Sequence, residues 1–215
     1  MAEPIPARDG AFDKGATALL LVDMQRIWLD PAFDDHGAGG GPQAEFYETT
    51  AKVTVPACEK LLAAARAGGV EVLHTIIQSL TEDGRDRSLD HKMTPIHLAK
   101  SDERALPVPS LMPAGDEIML PKTSSGVFNS TNIDYLLRNL GIRNLVICGI
   151  MTDQCVDMAV RDAADRGFLA TVPEDACFAA TSARHETALA AFGGYCWRSD
   201  AATVAARFLE MKGRP

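Results

Sequence analysis

The sequence predicts an α/β fold built on a mostly parallel sheet covered on both faces. Two observations carry that prediction. Short continuous apolar runs, such as Leu19 to Val22 and Leu145 to Cys148, recur along the chain, as expected of strands buried on both sides. Between them lie stretches with helical periodicity, so strand and helix alternate to the end. The 215 residues suit one domain spanning 1–215, with a sizeable core and no repeat or linker.

Met1 to Lys14 is a polar, proline-bearing arm expected on the surface or on a neighbouring subunit. Thr17 to Val22 is the first strand, and Asp23 follows at its carboxyl end. An acid there faces the crevice where open α/β sheets bind ligands; it could equally cap the next turn. Met24 to Pro31 begins an irregular segment that runs into the glycine-rich His36 to Pro42, expected to be a mobile loop. No Gly-Lys-Ser/Thr follows, so it is no phosphate loop. Val53 to Arg66 reads as a helix with Pro56 in its first turn and Gly68 and Gly69 ending it. Val70 to Ile77 is the second strand.

Residues 79–116 show little periodicity and hold four of the twelve prolines, which suggests a lid or a subunit contact. Arg85, Arg87, His91 and Lys92 cluster there. Such clusters are mostly solvated faces, but Arg85, Arg87 and Lys92 are the nearest cations for a carboxylate-bearing substrate. Asp116 to Leu120 is the third strand, and Lys122 stands just past it. Thr131 to Asn139 is the next helix. Asn144 to Cys148 is the fourth strand, and Val156, Ala159, Val160 and Ala163 mark one face of the helix after it. Phe168 to Val172 is the fifth strand, with helices at Ser182 to Phe192 and Ala201 to Met211.

Cys155 falls in the first turn of the helix that Thr152 or Asp153 could cap. Free amides and the helix dipole there favour a thiolate, although a free cysteine is as often a small core residue. Asp23, Lys122 and Cys155 each follow a different strand, so neighbouring strands would bring them into one crevice. A carboxylate can take the thiol proton, and an ammonium between them steadies the anions. The backbone N–H groups of Met151 and Cys155 can form an oxyanion hole. On this reading the cation and the helix end lower the Cys155 pKa.

The remaining composition excludes several classes. A net charge of −8 and pI near 5.1 give no basic stripe for nucleic acid. No apolar run approaches a membrane span, and Met1 to Pro6 lacks the features of a signal peptide. Five scattered cysteines with no C-x-x-C pair argue against a disulfide framework or structural zinc. A reducing cytoplasm is the expected setting.

Four segments in order resemble the isochorismatase-like cysteine hydrolases, which include nicotinamidases, N-carbamoylsarcosine amidohydrolases and ureidoacrylate or biuret amidohydrolases. They are Leu20 to Gln25, Pro121 to Phe128, Gly149 to Val156, and Arg161 to Phe168 with Glu174 to Cys177. The likeness runs from Thr17 to Phe208. It implies a Rossmann-like, three-layer fold with a six-stranded sheet of order 3-2-1-4-5-6 and a cis peptide at Ile150–Met151. It implies Cys155 as nucleophile, Asp23 as base and Lys122 as their charged partner, in a homo-oligomer acting on a small amide or ureido substrate. Nicotinamidases carry an Asp-x-His metal motif, which His74 to Ser79 lacks, so no metal and no cofactor are expected. Gln25 and Trp28 depart from the commoner family pattern. The expected pocket residues are Gln25, Trp28, Phe33 and Phe128, while His74 and His185 are expected to be structural. An isochorismatase-type vinyl-ether hydrolase and a non-catalytic binding or redox-responsive module remain the alternatives.

Overall fold

The computed structural model describes residues 5–33 and 44–211; the glycine-rich stretch His36 to Pro42 lies outside them. In chain order the elements are β1 (Thr17–Val22), α1 (Arg26–Leu29), α2 (Ala44–Thr49), α3 (Val55–Gly68), β2 (Glu71–Ile77), α4 (Leu89–Met93), β3 (Ile118–Lys122), α5 (Val127–Ser130) and α6 (Ile133–Asn139). They continue with β4 (Asn144–Ile150), α7 (Asp157–Asp165), β5 (Leu169–Pro173), β6 (Cys177–Phe178), α8 (Ser182–Ala191), β7 (Cys196–Ser199) and α9 (Ala201–Glu210).

The sheet runs β3-β2-β1-β4-β5-β7, with β6 paired to β4. All of its ladders are parallel. This is the expected order with one correction. Two residues, Cys177 and Phe178, add a short strand beside the end of β4, so the sheet has seven strands and its edge strand is the seventh. Every residue of β1 and of β4 is buried, which is why both read as unbroken apolar runs.

On one face α3 packs against α9. The approach is so close that a Cβ at Gly68 would sit 2.2 Å from the Phe208 carbonyl oxygen. On the other face α7 packs against β4, β5 and α5. Pro56 lies in the first turn of α3, and having no N–H it leaves a carbonyl of the preceding turn without a donor. The chain there forms a widened helical turn, Thr50–Thr54, rather than the helix start expected at Val53. Gly69, at φ +69°, closes α3 by donating to Ala65 and Arg66. The amino-terminal arm is anchored by Phe12, which is buried against Phe208 and Trp197.

Segment 79–116 is stitched to the strand tips by backbone bonds. Arg26 N–H donates to the Leu106 carbonyl, Val108 N–H to Met24, and Ser79 N–H to Leu98, each within 2.9 Å. No described helix is long and apolar enough to cross a membrane.

Candidate active site

Strand order decides what can meet at the carboxyl edge. β1 is central, with β4 on one side and β2 then β3 on the other. Asp23, the first residue past β1, adopts φ +53°, a left-handed conformation that aspartate tolerates better than most residues. Its N–H donates to the Thr75 carbonyl (3.1 Å) and to Thr75 Oγ1 (3.2 Å). The Thr75 hydroxyl donates in turn to Asp23 Oδ1 at 2.8 Å. Thr75 can do this because it pairs with Val22 in the β1–β2 ladder.

Lys122 ends β3, two strands from β1 and thus about 10 Å away at ordinary strand spacing. Only a long side chain spans that gap. Its ammonium, fully buried, lies 2.8 Å from Asp23 Oδ2 and 3.3 Å from Cys155 Sγ. It also donates to the carbonyls of Ser124 and Ser125, both at 3.1 Å. Three donors facing four acceptors leave this cation no capacity for anything else.

Cys155 arrives from the other side. At Gly149, φ is +122° and a Cβ would sit 2.1 Å from the Val22 carbonyl oxygen, so β4 can lie this close to β1 only with glycine there. The Ile150–Met151 peptide is cis, as the family likeness implies. The turn Thr152–Val156 then carries Cys155, 5% exposed, ahead of α7. The Met151 carbonyl accepts from Gln154 N–H (3.0 Å) and Val156 N–H (3.2 Å), a pairing that skips the N–H of Cys155.

The electrostatics overturn one expectation from sequence. Burial pushes the Cys155 thiol up to about 12; Lys122 pulls it down, and Asp23 raises it again. Desolvation of a nearly enclosed thiolate therefore outweighs the cation. Burial also opposes charge on Lys122, but Asp23 and Cys155 together hold its pKa above the ordinary lysine value. The resting site is thus a neutral thiol beside an ammonium–carboxylate pair. Asp23 Oδ2 faces Lys122 as an ion pair and accepts no aligned hydrogen bond among the described residues. That oxygen keeps a lone pair open to a proton donor.

A cavity of about 80 Å³ opens onto these groups, lined by Asp23, Trp28, Ile77, Ile96, Ile150, Met151, Gln154 and Cys155. Of the expected pocket residues, Trp28 alone lines it. Gln25 is fully buried and spends every polar atom on the fold. It donates to the carbonyls of Ile77 (3.0 Å) and Ala105 (2.7 Å), and accepts from Ile77 N–H (2.9 Å) and Trp28 Nε1 (3.0 Å). Gln25 therefore fixes the cavity wall from behind. Phe33 packs half-buried against the core. Phe128 lies with Phe168 and beneath the Arg166 guanidinium, away from the cavity lining.

Nor do Arg85, Arg87 and Lys92 reach it. Arg85 pairs with Asp83, Arg87 donates to the carbonyls of Gly84 and Ile96, and Lys92 donates to that of Arg85. His91 is different. It is buried, its Nε2 stands 3.5 Å from Ser125 Oγ, and its Nδ1 has no partner among the described residues. Burial, then the Lys122 charge, lower its pKa, so it stands as a neutral ring behind the lysine cradle. His74 and His185, expected to be structural, bond to Glu117 and Thr152. Among the described residues, no group of three or more His, Cys, Asp or Glu could hold a metal ion. Sequence reasoning did not single out Ile77, Ile96, Ile150 or Gln154 as lining residues; Gln154 lies within the Gly149 to Val156 segment, beside Cys155, whereas Ile96 falls in an aperiodic stretch.

Residues 17–200 match the isochorismatase domain model. The ureidoacrylate amidohydrolase RutB of Agrobacterium fabrum is 35% identical over 176 residues, covering 74% of this chain and 75% of the relative. An isochorismatase family protein from Desulfovibrio vulgaris is 27% identical with a TM-score of 0.73, over 89% of this chain and 97% of that one. A cysteine hydrolase from Pseudomonas syringae shares the fold at a TM-score of 0.81 and 23% identity, over 98% of this chain and all (100%) of that one. The chain belongs to the isochorismatase family.

Proposed function

We propose that this protein is a cysteine-dependent amidohydrolase that cleaves a C–N bond of a small linear amide or ureido compound. The observation that carries this reading is the single cluster in which Lys122 Nζ lies 2.8 Å from Asp23 and 3.3 Å from the Cys155 sulfur at the floor of a cavity. As the sulfur attacks the substrate carbonyl, its proton passes to Asp23, and Lys122 holds the carboxylate in place. The oxyanion is received by the amides of Met151 and Cys155. Asp23 then returns the proton to the leaving nitrogen, which departs as ammonia or an amine. Water, deprotonated by Asp23, cleaves the thioester and restores the thiol. The relative named for ureidoacrylate hydrolysis supports the ureido class.

Ammonia release from a panel of amides and ureido compounds tests this. Cys155→Ala should lower the rate by at least about 10³-fold with little change in melting temperature. Full ammonia release by that variant would refute the thiol mechanism. No turnover of any amide would favour a binding role.

Assembly with a second copy is part of the same proposal. Leu89 and Met93, one helical turn apart on α4, are 72% and 74% exposed, and Leu80, earlier in the same segment, is exposed too. Sedimentation should give a species of at least twice the chain mass at micromolar concentration, and a clean monomer refutes it.

A further inference from the structure

Granting the amidohydrolase reading, the cavity wall narrows the substrate. Apart from the reacting groups Asp23 and Cys155, the lining side chains are apolar with one exception, Gln154. Trp28 offers no donor, because its Nε1 is taken by Gln25. Gln154 is exposed to the cavity mouth, and its carboxamide makes no hydrogen bond among the described residues.

Among the described residues, no lysine or arginine lines the cavity. Lys122 is saturated by its four acceptors. Arg161 and Arg184 open instead into a groove between α7 and α8, where Asp157 and Asp153 hold them. Residues 34–43 contain no lysine or arginine in any placement. A carboxylate entering this space would lose its water without gaining a counter-charge, and Asp23 would repel it.

We infer that Gln154 is the specificity-determining residue, and that the substrate is uncharged at the end remote from the scissile bond. Its remote end carries a group that both donates and accepts hydrogen bonds, such as a hydroxyl or a carboxamide, which pairs with the Gln154 amide. This separates the chain from a relative named for ureidoacrylate, whose substrate bears a carboxylate.

Three ureas of one length test the inference: N-(3-hydroxypropyl)urea, N-propylurea and 3-ureidopropanoate. The wild-type kcat/KM should fall in that order, by about tenfold at the first step for the lost hydrogen bond and further for the buried charge. Gln154→Ala should raise KM for the hydroxyl compound to the propyl value while leaving kcat unchanged. Gln154→Arg should bring 3-ureidopropanoate to or above N-propylurea. Preference of the wild type for 3-ureidopropanoate, or an unchanged order in Gln154→Ala, overturns the inference.

Direct calorimetric binding of the three compounds to the Cys155→Ala protein, or to wild type if that variant fails to fold, gives the same order independently of turnover. Neutral-over-anionic binding without hydrolysis would therefore sink the amidohydrolase reading and leave this one standing. Turnover with an anionic preference would do the reverse.

Discussion

Two clusters of charge in this protein are built from similar parts and behave differently. At one edge of the sheet Glu117 is held by Arg66 through two hydrogen bonds of 2.7 and 2.9 Å, by Ala114 N–H at 3.0 Å and by His74 at 3.2 Å. Both carboxylate oxygens are satisfied. Burial alone would raise its pKa, but Arg66, Ala114 and His74 hold it down at about 2. At the other edge Asp23 has one oxygen bonded to Thr75 and the other facing only the Lys122 ion pair. Its backbone is left-handed, and the thiol beside it is pushed up to about 12. The first cluster is closed in its hydrogen bonds, although Arg66 and Glu117 line a groove; the second keeps an oxygen without an aligned hydrogen bond beside a cavity. Unmet acceptor capacity, more than buried charge or an adjoining hollow, distinguishes the candidate site.

The sharpest way to break this contrast is Lys122→Met. The substitution strands the Asp23 carboxylate, which is 2% exposed, without its counter-ion, and should cost about 3–5 kcal/mol in denaturant unfolding at neutral pH. The same change removes the group that lowers the thiol pKa. Iodoacetamide should then alkylate Cys155 more slowly than in wild type, whose own alkylation rate should climb steadily with pH above neutrality. A wild-type rate flat from pH 7 upward would mean that the thiol is already ionised at rest and that burial does not govern it.

The closed cluster gives a smaller, pH-dependent effect. Glu117 titrates near 2 when folded against an ordinary 4.5. A depressed folded pKa contributes stability above the unfolded value, and that contribution is lost as pH falls from 4.5 through 2. Glu117→Gln should therefore lower stability at pH 7 by about 1–2 kcal/mol after allowance for solvent screening. The two proteins should converge in acid, and kcat/KM should not move. A rate loss in this variant would tie the two clusters together and remove the distinction between them.

The incomplete cluster was legible in sequence for a physical reason. β1, β3 and β4 each end in a polar or reactive residue or the turn that carries it, and a parallel sheet collects such ends at one edge. Side-chain direction was not legible. Gln25 sits two residues from Asp23 yet turns inward to bond Ile77 and Ala105, because two backbone segments meet there and need a donor and an acceptor together. Ile96 reaches the cavity from an aperiodic segment that long-range backbone bonds fix in place, and no local pattern encodes those. The edge strand Cys196–Ser199, with one buried residue in four, lacks the apolar run that announces a strand. The sign of the thiol shift was misread because the depth of burial is a tertiary quantity.

Phe128 supplies the smallest test and a control for the comparison. It follows the Lys122 loop by six positions in sequence, and by composition its surroundings resemble a binding site: an aromatic ring with a guanidinium above it. Arg166 stands 4.9 Å from its centroid and Phe168 6.1 Å away. Yet this cation also pairs with Asp162 and donates to the carbonyl of the same residue, and Phe128 is buried without lining the cavity. Here the polar groups are met, as around Glu117. Phe128→Leu should lower stability by about 1 kcal/mol through lost packing and cation–π contact. Its kcat and KM should both stay within twofold of wild type, a range set by treating mutant kinetics as free energies. A tenfold rise in KM with unchanged kcat would place Phe128 against the substrate after all, and closed packing would then no longer separate structural residues from functional ones in this fold.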